Sequence, residues 1–185
     1  MLKDLTLKIT PEMVKTAQGN EKKAFSGHLG THFDVMNKEF PLEYFRRKAF
    51  IFDVSEVNDR DIGPEDIDPE KARKDMFIGF YSGWIEEKEY GTKEYFSMHP
   101  QLSKELIDML LEKGISLIGI DFAGARRGKE HTPTDQYCAD HGVFIIENLC
   151  NMKEAVGECD IYTLPLNYTG MSGLSCRVVA EMEEQ

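Results

Sequence analysis

The 185-residue sequence has no apolar run near the roughly 18 residues needed to cross a bilayer. It also lacks any Cys-x-x-Cys pair. Cys138, Cys150, Cys159 and Cys176 are separated by 12, 9 and 17 residues, which excludes a zinc knuckle or a dithiol redox motif and leaves them to be read as buried reduced thiols. Basic residues are in short supply: 22 Lys and Arg against 33 Asp and Glu give a net charge of −11. That is the wrong sign for neutralising nucleic-acid phosphates or settling on an anionic membrane, so neither partner is expected. The opening stretch carries charges at Lys3, Asp4 and Lys8 where a secretory leader needs an apolar segment, so a cytoplasmic location is expected. Repeats and low-complexity tracts are absent. The acidic, turn-rich stretch 58–68 has the length of a surface loop, and the reading is one domain over residues 1–185.

What is present suits a packed α/β domain. A hydrophobic fraction of 41% excludes disorder, and a chain of this length can bury roughly 70% of its unfolded surface. Thr10-Pro11 caps a short helix over 11–18. The runs at 49–54 and 76–81 have the composition and length of buried strands. Leu102, Leu106, Met109 and Leu110 form a helical stripe that Lys113-Gly114 stops, and the apolar strand 115–120 follows at once. A second helix is expected with Thr132 as cap, Pro133 in its first turn and Asp135 in the capping-box position, ending near His141-Gly142. Residues 143–146 form another buried strand ending at Glu147, and 161–166 and 175–181 are two closing strands joined by a glycine-bearing turn. Strands alternating with helices predict an α/β fold with parallel pairing.

The densest chemistry lies at 28–34. Two of only five histidines and one carboxylate, His28, His32 and Asp34, stand at alternate positions with Gly30 among them. On a strand they share one face while Leu29, Thr31, Phe33 and Val35 take the other. A helix would also align the histidines, but Gly30 and β-branched Thr31 disfavour it. Since a straight strand separates the two His Cα atoms by about 13 Å, sharing one ion requires a bend or bulge at Gly30. Two imidazoles and a carboxylate suit Zn²⁺ or Mn²⁺ and leave a coordination position open, as catalytic sites do.

His28-x-Gly30-Thr31-His32-x-Asp34 resembles the signature H-x-G-T-H-x-D-x-P-x-H of the cyclase family, metal-dependent hydrolases of the kynurenine formamidase and isatin hydrolase kind. Ser82-Gly83-Trp84, His99-Pro100, Leu117-Ile118-Gly119-Ile120-Asp121, Ile146-Glu147-Asn148-Leu149 and Leu164-Pro165-Leu166 follow in the family's order. The resemblance implies a swivelling β/β/α domain, a homodimer or homotetramer, and one or two divalent ions, Zn or Mn, at His28, His32 and Asp34. It also implies a second-ion set in which Glu147 matches. Twelve residues before Glu147 the family's His is replaced by Asp135, with His131 one turn earlier as a further candidate.

The signature's Pro and last His, the family's general acid or base, are replaced here by Met36 and Lys38. Lys38 serves as a base only if its pKa is lowered by several units; otherwise it is a solvated partner of Glu39. Trp84 and Arg126, the latter in a run of three cations at 126–129, are the expected substrate-binding residues. The implied activity is hydrolysis of a small amide, formamide or lactam by metal-activated water. The alternative is a catalytically degenerate member that binds metal or a small ligand without turnover.

Overall fold

A computed structural model of the chain describes residues 1–20 and 27–183. Its elements, in chain order, are β1 (Leu2–Asp4), α1 (Pro11–Ala17), β2 (His32–Asp34), β3 (Arg46–Asp53), β4 (Phe77–Tyr81), α2 (Trp84–Glu87), α3 (Lys93–Met98), α4 (Lys104–Glu112), β5 (Leu117–Ile120), α5 (His131–Asp140), β6 (Phe144–Glu147), β7 (Gly157–Pro165) and β8 (Gly173–Glu181). The sheet runs β1-β8-β2-β6-β5-β4-β3-β7, and an additional β7–β8 pairing closes seven of the strands into a barrel with β1 appended to β8. Strands β3, β4, β5 and β6 are mutually parallel, and the remaining pairings are antiparallel. This is the mixed α/β architecture expected from alternating strands and helices. Among the described residues, no helix is long and apolar enough to cross a membrane.

The period of two along each strand sorts side chains into two cores. Ala49, Ile51, Phe77, Leu117, Phe144 and Ile146 point into the barrel beside Phe33, Ile161 and Val178. Phe52, Ile78, Phe80, Ile118, Ile120 and Ile145 face outward and are covered by Leu106, Ile107 and Leu110 of α4 and Cys138 of α5. Helix α4 has its N-terminus capped by Ser103, whose hydroxyl accepts from Leu106 N–H at 3.1 Å. All four cysteines are free thiols, Cys138 and Cys159 buried and Cys150 and Cys176 half-buried.

Two local expectations are corrected. The strand holding the histidine cluster is short: β2 begins at His32, and Gly30, at φ +71°, turns the chain before it, so His28 reaches the site from a turn instead of from the strand. The bend at Gly30 is where the spacing argument requires one. Helix α5 begins at His131, with Glu130 as its N-cap, and Thr132 lies inside it. The preceding 3₁₀ turn Gly128–Glu130 supplies carbonyl acceptors, with Glu130 N–H bonded to Arg127 O and His131 N–H to Gly128 O, so a hydroxyl cap is not needed. Asp135 therefore sits a full turn into α5, outside any capping box, and is buried.

Candidate metal centre

Because Phe33 points into the barrel, its neighbours His32 and Asp34 point out of it, toward α5. Strand β2 lies between β6 and β8, and its register sets His32 directly opposite Glu147 on one side and Ser175 on the other. Cross-strand partners share a face, so Glu147 joins His32 and Asp34 on the helix-covered surface. Across that space α5 contributes His131 and Asp135, which its i,i+4 spacing puts on one face.

The result is two overlapping groups. His28, His32 and Asp34 form one; Asp34, His131, Asp135 and Glu147 form the other, and within each the candidate ligand atoms lie within 4.8 Å of one another. His28 Nε2 is 3.2 Å from Asp34 Oδ1 and His32 Nε2 is 3.6 Å from the same oxygen. His131 Nε2 is 3.1 Å from Glu147 Oε1 and 3.3 Å from Asp135 Oδ2. The two imidazoles of the first group meet edge to face, ring centres 4.9 Å apart.

Local hydrogen bonds aim these groups. His32 Nδ1–H donates to Gly30 O at 2.8 Å, which leaves Nε2 as the nitrogen facing the carboxylates. Asn148, in the left-handed conformation at φ +58°, also donates to Gly30 O, at 3.0 Å, and accepts from the Tyr95 hydroxyl at 2.7 Å. Thr31 of the signature ties the two segments: its hydroxyl donates to Asn148 O at 2.7 Å and accepts from Leu7 N–H at 2.8 Å. Asp121, the last residue of the apolar Gly-Ile-Asp run, accepts from the Ser82 hydroxyl at 2.6 Å and Gly83 N–H at 2.7 Å, fixing the turn into α2.

The electrostatics and the unmet bonding capacity both point to a cation. Burial raises the Glu147 and Asp135 carboxyls well above their usual range, and the nearby Asp34 charge raises them further. Burial works in the same direction at Asp34, but the imidazoles of His32 and His28 outweigh it and hold that carboxyl well below its ordinary value. For His32, burial opposes protonation and the Asp34 and Glu147 charges overcome it, raising its pKa. His32 Nε2, Asp34 Oδ2 and Asp135 Oδ1 are buried with no hydrogen-bond partner. Three such orphans in one cluster are costly unless a ligand satisfies them. An ion bound by imidazole nitrogens and carboxylate oxygens does so, and the donor set fits a divalent metal.

A cavity of about 430 Å³ opens onto the cluster, walled by Met36, Phe96 and Ala123 and edged with Thr132, Asn148 and Ser172. Other sequence-expected residues lie elsewhere. Lys38 pairs with Asp140 at 2.7 Å in a half-exposed contact, away from the walls of this cavity, and not with Glu39. Arg126 is consumed as an internal clamp: its guanidinium donates to Glu130 Oε2 at 2.6 and 3.0 Å, to Leu102 O at 2.9 Å and to Asp61, so it does not meet the cavity. Trp84 donates from Nε1 to Tyr95 O at 3.1 Å and so braces α3, whose Phe96 forms the wall that Trp84 was expected to supply. His131 is the member whose full involvement the chain spacing understates. Its signal is the i,i+4 relation to Asp135, visible once both are placed on one helix.

A closed mixed barrel whose outer face carries a buried His and carboxylate cluster under a helix defines a class of metal-binding α/β domain. The chain belongs to the cyclase family: residues 3–125 match the model described as Putative cyclase. It is 27% identical over 169 residues to a kynurenine formamidase of Bacillus cereus, covering 85% of this chain and 78% of that protein, and 26% identical, with the same coverage, to one of Bacillus thuringiensis. Its fold matches that of a potential metal-dependent hydrolase with cyclase activity at a TM-score of 0.79, with 24% identity over 100% of this chain and 99% of the other. It also matches isatin hydrolase A from Labrenzia aggregata at 0.77, with 19% identity over 100% and 94%.

Proposed function

We propose that this protein is a metal-dependent hydrolase acting on a small amide, formamide or lactam. The observation that carries the reading is the buried cluster in which His32 Nε2, Asp34 Oδ2 and Asp135 Oδ1 have no hydrogen-bond partner beside an open cavity. Kynurenine formamidase and isatin hydrolase among its relatives support the substrate class. His28, His32 and Asp34 would hold one divalent ion, and Glu147, Asp135 and His131 would join Asp34 around a second. A bound ion of this kind lowers the pKa of water toward about 7 and polarises a carbonyl oxygen.

The chain's own residues do the remainder. The Gly30 carbonyl fixes the His32 tautomer, and the Met36, Phe96 and Ala123 walls orient a flat apolar substrate and limit the water around it. Glu147, whose carboxyl is raised well above its usual range by burial, is the group we assign to take the proton of the attacking water. Lys38, held by Asp140, takes no part. Association into a homodimer or homotetramer is supported by the exposure of Leu42, Leu164, Leu166 and Tyr168 on one side of the barrel.

The test is metal-dependent turnover of a panel of formyl-anilides, lactams and esters, with Zn²⁺ and Mn²⁺ added separately to demetallated protein. Loss of turnover in Asp34→Ala is expected. A second reading, binding without turnover, is favoured by the diversion of Lys38 from the cavity; metal binding with no hydrolysis across the panel would establish it over the first.

A further inference from the structure

Asn148, the residue after Glu147, is buried, is held in the left-handed region at φ +58°, and has a partner for each of its polar atoms. Its N–H donates to Phe122 O at 3.2 Å and its O accepts from the Thr31 hydroxyl at 2.7 Å. Its Oδ1 accepts from the Tyr95 hydroxyl at 2.7 Å and its Nδ2 donates to Gly30 O at 3.0 Å. A non-glycine residue stays in this region only where its surroundings over-determine it, and such positions gather at functional sites. The Gly30 carbonyl is where the bonds converge: one lone pair takes Asn148 Nδ2 and the other takes His32 Nδ1. The N–H of the same glycine donates to the Tyr90 hydroxyl at 2.8 Å. Gly30, at φ +71°, has no side chain to fix its own backbone, so bonds from residues 2, 60 and 118 positions away set the turn.

Tyr90 and Tyr95 come from one short segment, the turn before α3 and α3 itself. Thr92 caps that helix, its hydroxyl accepting from Tyr95 N–H at 3.2 Å, and Trp84 Nε1 holds Tyr95 O. The rings of Tyr90, Tyr95 and Phe96 pack pairwise edge to face with centres 5.2 to 5.5 Å apart, and Phe96 walls the cavity. Burial raises both phenols above their ordinary range and the Glu147 charge raises them further, so both remain hydroxyls beside the cluster.

We infer that Asn148, with Tyr95 and Tyr90 behind it, is a positioning residue: it holds the Gly30 carbonyl against His32 Nδ1, so aiming His32 Nε2 at Asp34 and Glu147, and it ties that aim to the aromatic segment that walls the cavity. A carbonyl held by one donor can swing with the imidazole it meets. Held by a second donor from a fixed residue, it keeps the ring in one orientation. Asn148 is suited to this because it also follows Glu147 directly, so one residue anchors both the turn into β2 and the end of β6. Tyr95 fixes the amide in turn: by donating to Oδ1 it leaves Nδ2 as the end that faces Gly30. Because Phe96 is the chain neighbour of Tyr95 and packs on Tyr90, a flat substrate seated on Phe96 rests on the same unit that aims His32.

This inference rests on the metal-centre reading above and adds the residues that set its geometry. It is tested on demetallated full-length protein by titration with Zn²⁺ and by the visible absorption spectrum of the Co²⁺-loaded form, at a temperature where each variant is folded. Asn148→Gly keeps the left-handed backbone and removes only the side chain, and should lower Zn²⁺ affinity about 10 to 100-fold, the range found for partners that orient a metal-bound imidazole. Tyr95→Phe and Tyr90→Phe, which keep the rings, should each lower it by about tenfold. Adding Tyr95→Phe to Asn148→Gly should bring no further loss, because the two act in series. Ser97→Ala, on the exposed face of the same helix, should change nothing. The Co²⁺ bands at saturation should shift in Asn148→Gly, a change that a residue serving only to stabilise the fold would not produce. If Asn148→Gly does not fold, the two Phe variants read the same link. Affinities and spectra equal to wild type overturn the inference while the metal reading stands, and losses that multiply in the double variant overturn the route through Asn148. A wild type that binds no Zn²⁺ overturns the metal reading and this inference with it.

Discussion

His32 faces Glu147 across the antiparallel β2–β6 pair, its Nε2 3.5 Å from Glu147 Oε2, both side chains buried. Two residues 115 positions apart thus share one face of one sheet, and what lies between them is the centre of the site. Apolar neighbours on the other face, Phe33 and Ile146, are themselves paired and lock the register inside the barrel core. A slip of one residue would send both side chains inward.

That register makes the candidate ligands separable from the fold. His32→Ala is expected to cut metal affinity by more than the 10 to 100-fold typical of residues that merely support a ligand, while leaving the barrel intact. Isothermal titration with Zn²⁺ beside a thermal melt of the metal-free protein measures both. A large fall in the metal-free melting temperature with unchanged affinity would assign His32 to the core.

Lys38→Ala should leave hydrolysis nearly unchanged. A general acid or base contributes 10² to 10⁴-fold, and a loss of that size would return Lys38 to the catalytic machinery. Its solvent-screened pair with Asp140 contributes little, so urea midpoints should move little as well. Steady-state rates on a formyl-anilide decide between the two.

His99 is buried, stacks on Phe122 at 5.7 Å between ring centres and donates from Nδ1 to Pro100 O at 2.7 Å. Burial lowers its pKa to about 4, against about 6.5 in an unfolded chain. Below pH 6.5 the unfolded state therefore takes up the proton first, and stability falls with falling pH until about 4, by about 3 kcal/mol in all. Above 6.5 this contribution is fully present and flat. Urea unfolding across pH 4 to 7 should show a shallower slope in His99→Gln than in wild type; parallel curves would mean that His99 titrates normally in the folded protein.

Glycines stand on either side of His28, and they should differ in tolerance. Both Gly27 and Gly30 have positive φ, +79° and +71°, so an L side chain at either costs about 1 to 2 kcal/mol. A Cβ at Gly27 would also run into the backbone carbonyl of Gly173 at the start of β8, whereas at Gly30 it meets only the movable end of Ile9. Gly27→Ala should therefore lower the urea midpoint more than Gly30→Ala. The opposite order would show that the turn before β2 yields more easily than the Ile9 contact.

Part of this architecture was legible in the residues themselves. Strand period placed His32 and Asp34 on one face and Phe33 on the other, the long span from His28 to His32 required a bend that Gly30 provides, and apolar runs ending in Asp121 and Glu147 became neighbouring parallel strands β5 and β6. These depend on distances within a few residues, which backbone geometry governs directly.

The rest waited on the tertiary structure. A helix start two residues earlier than the Thr132 cap predicts took Asp135 out of a capping box and set it beside His131, because a 3₁₀ turn met the helix's first N–H group without a side chain. Arg126 and Lys38, both cations in suggestive positions, were claimed by Asp61 and Asp140 from distant parts of the chain, with Glu130 holding Arg126 from the next turn. Local spacing determined which side chains could act as ligands. The closing of the barrel and the docking of α5 decided which of them meet, since that depends on pairings between segments more than a hundred residues apart that no local period encodes.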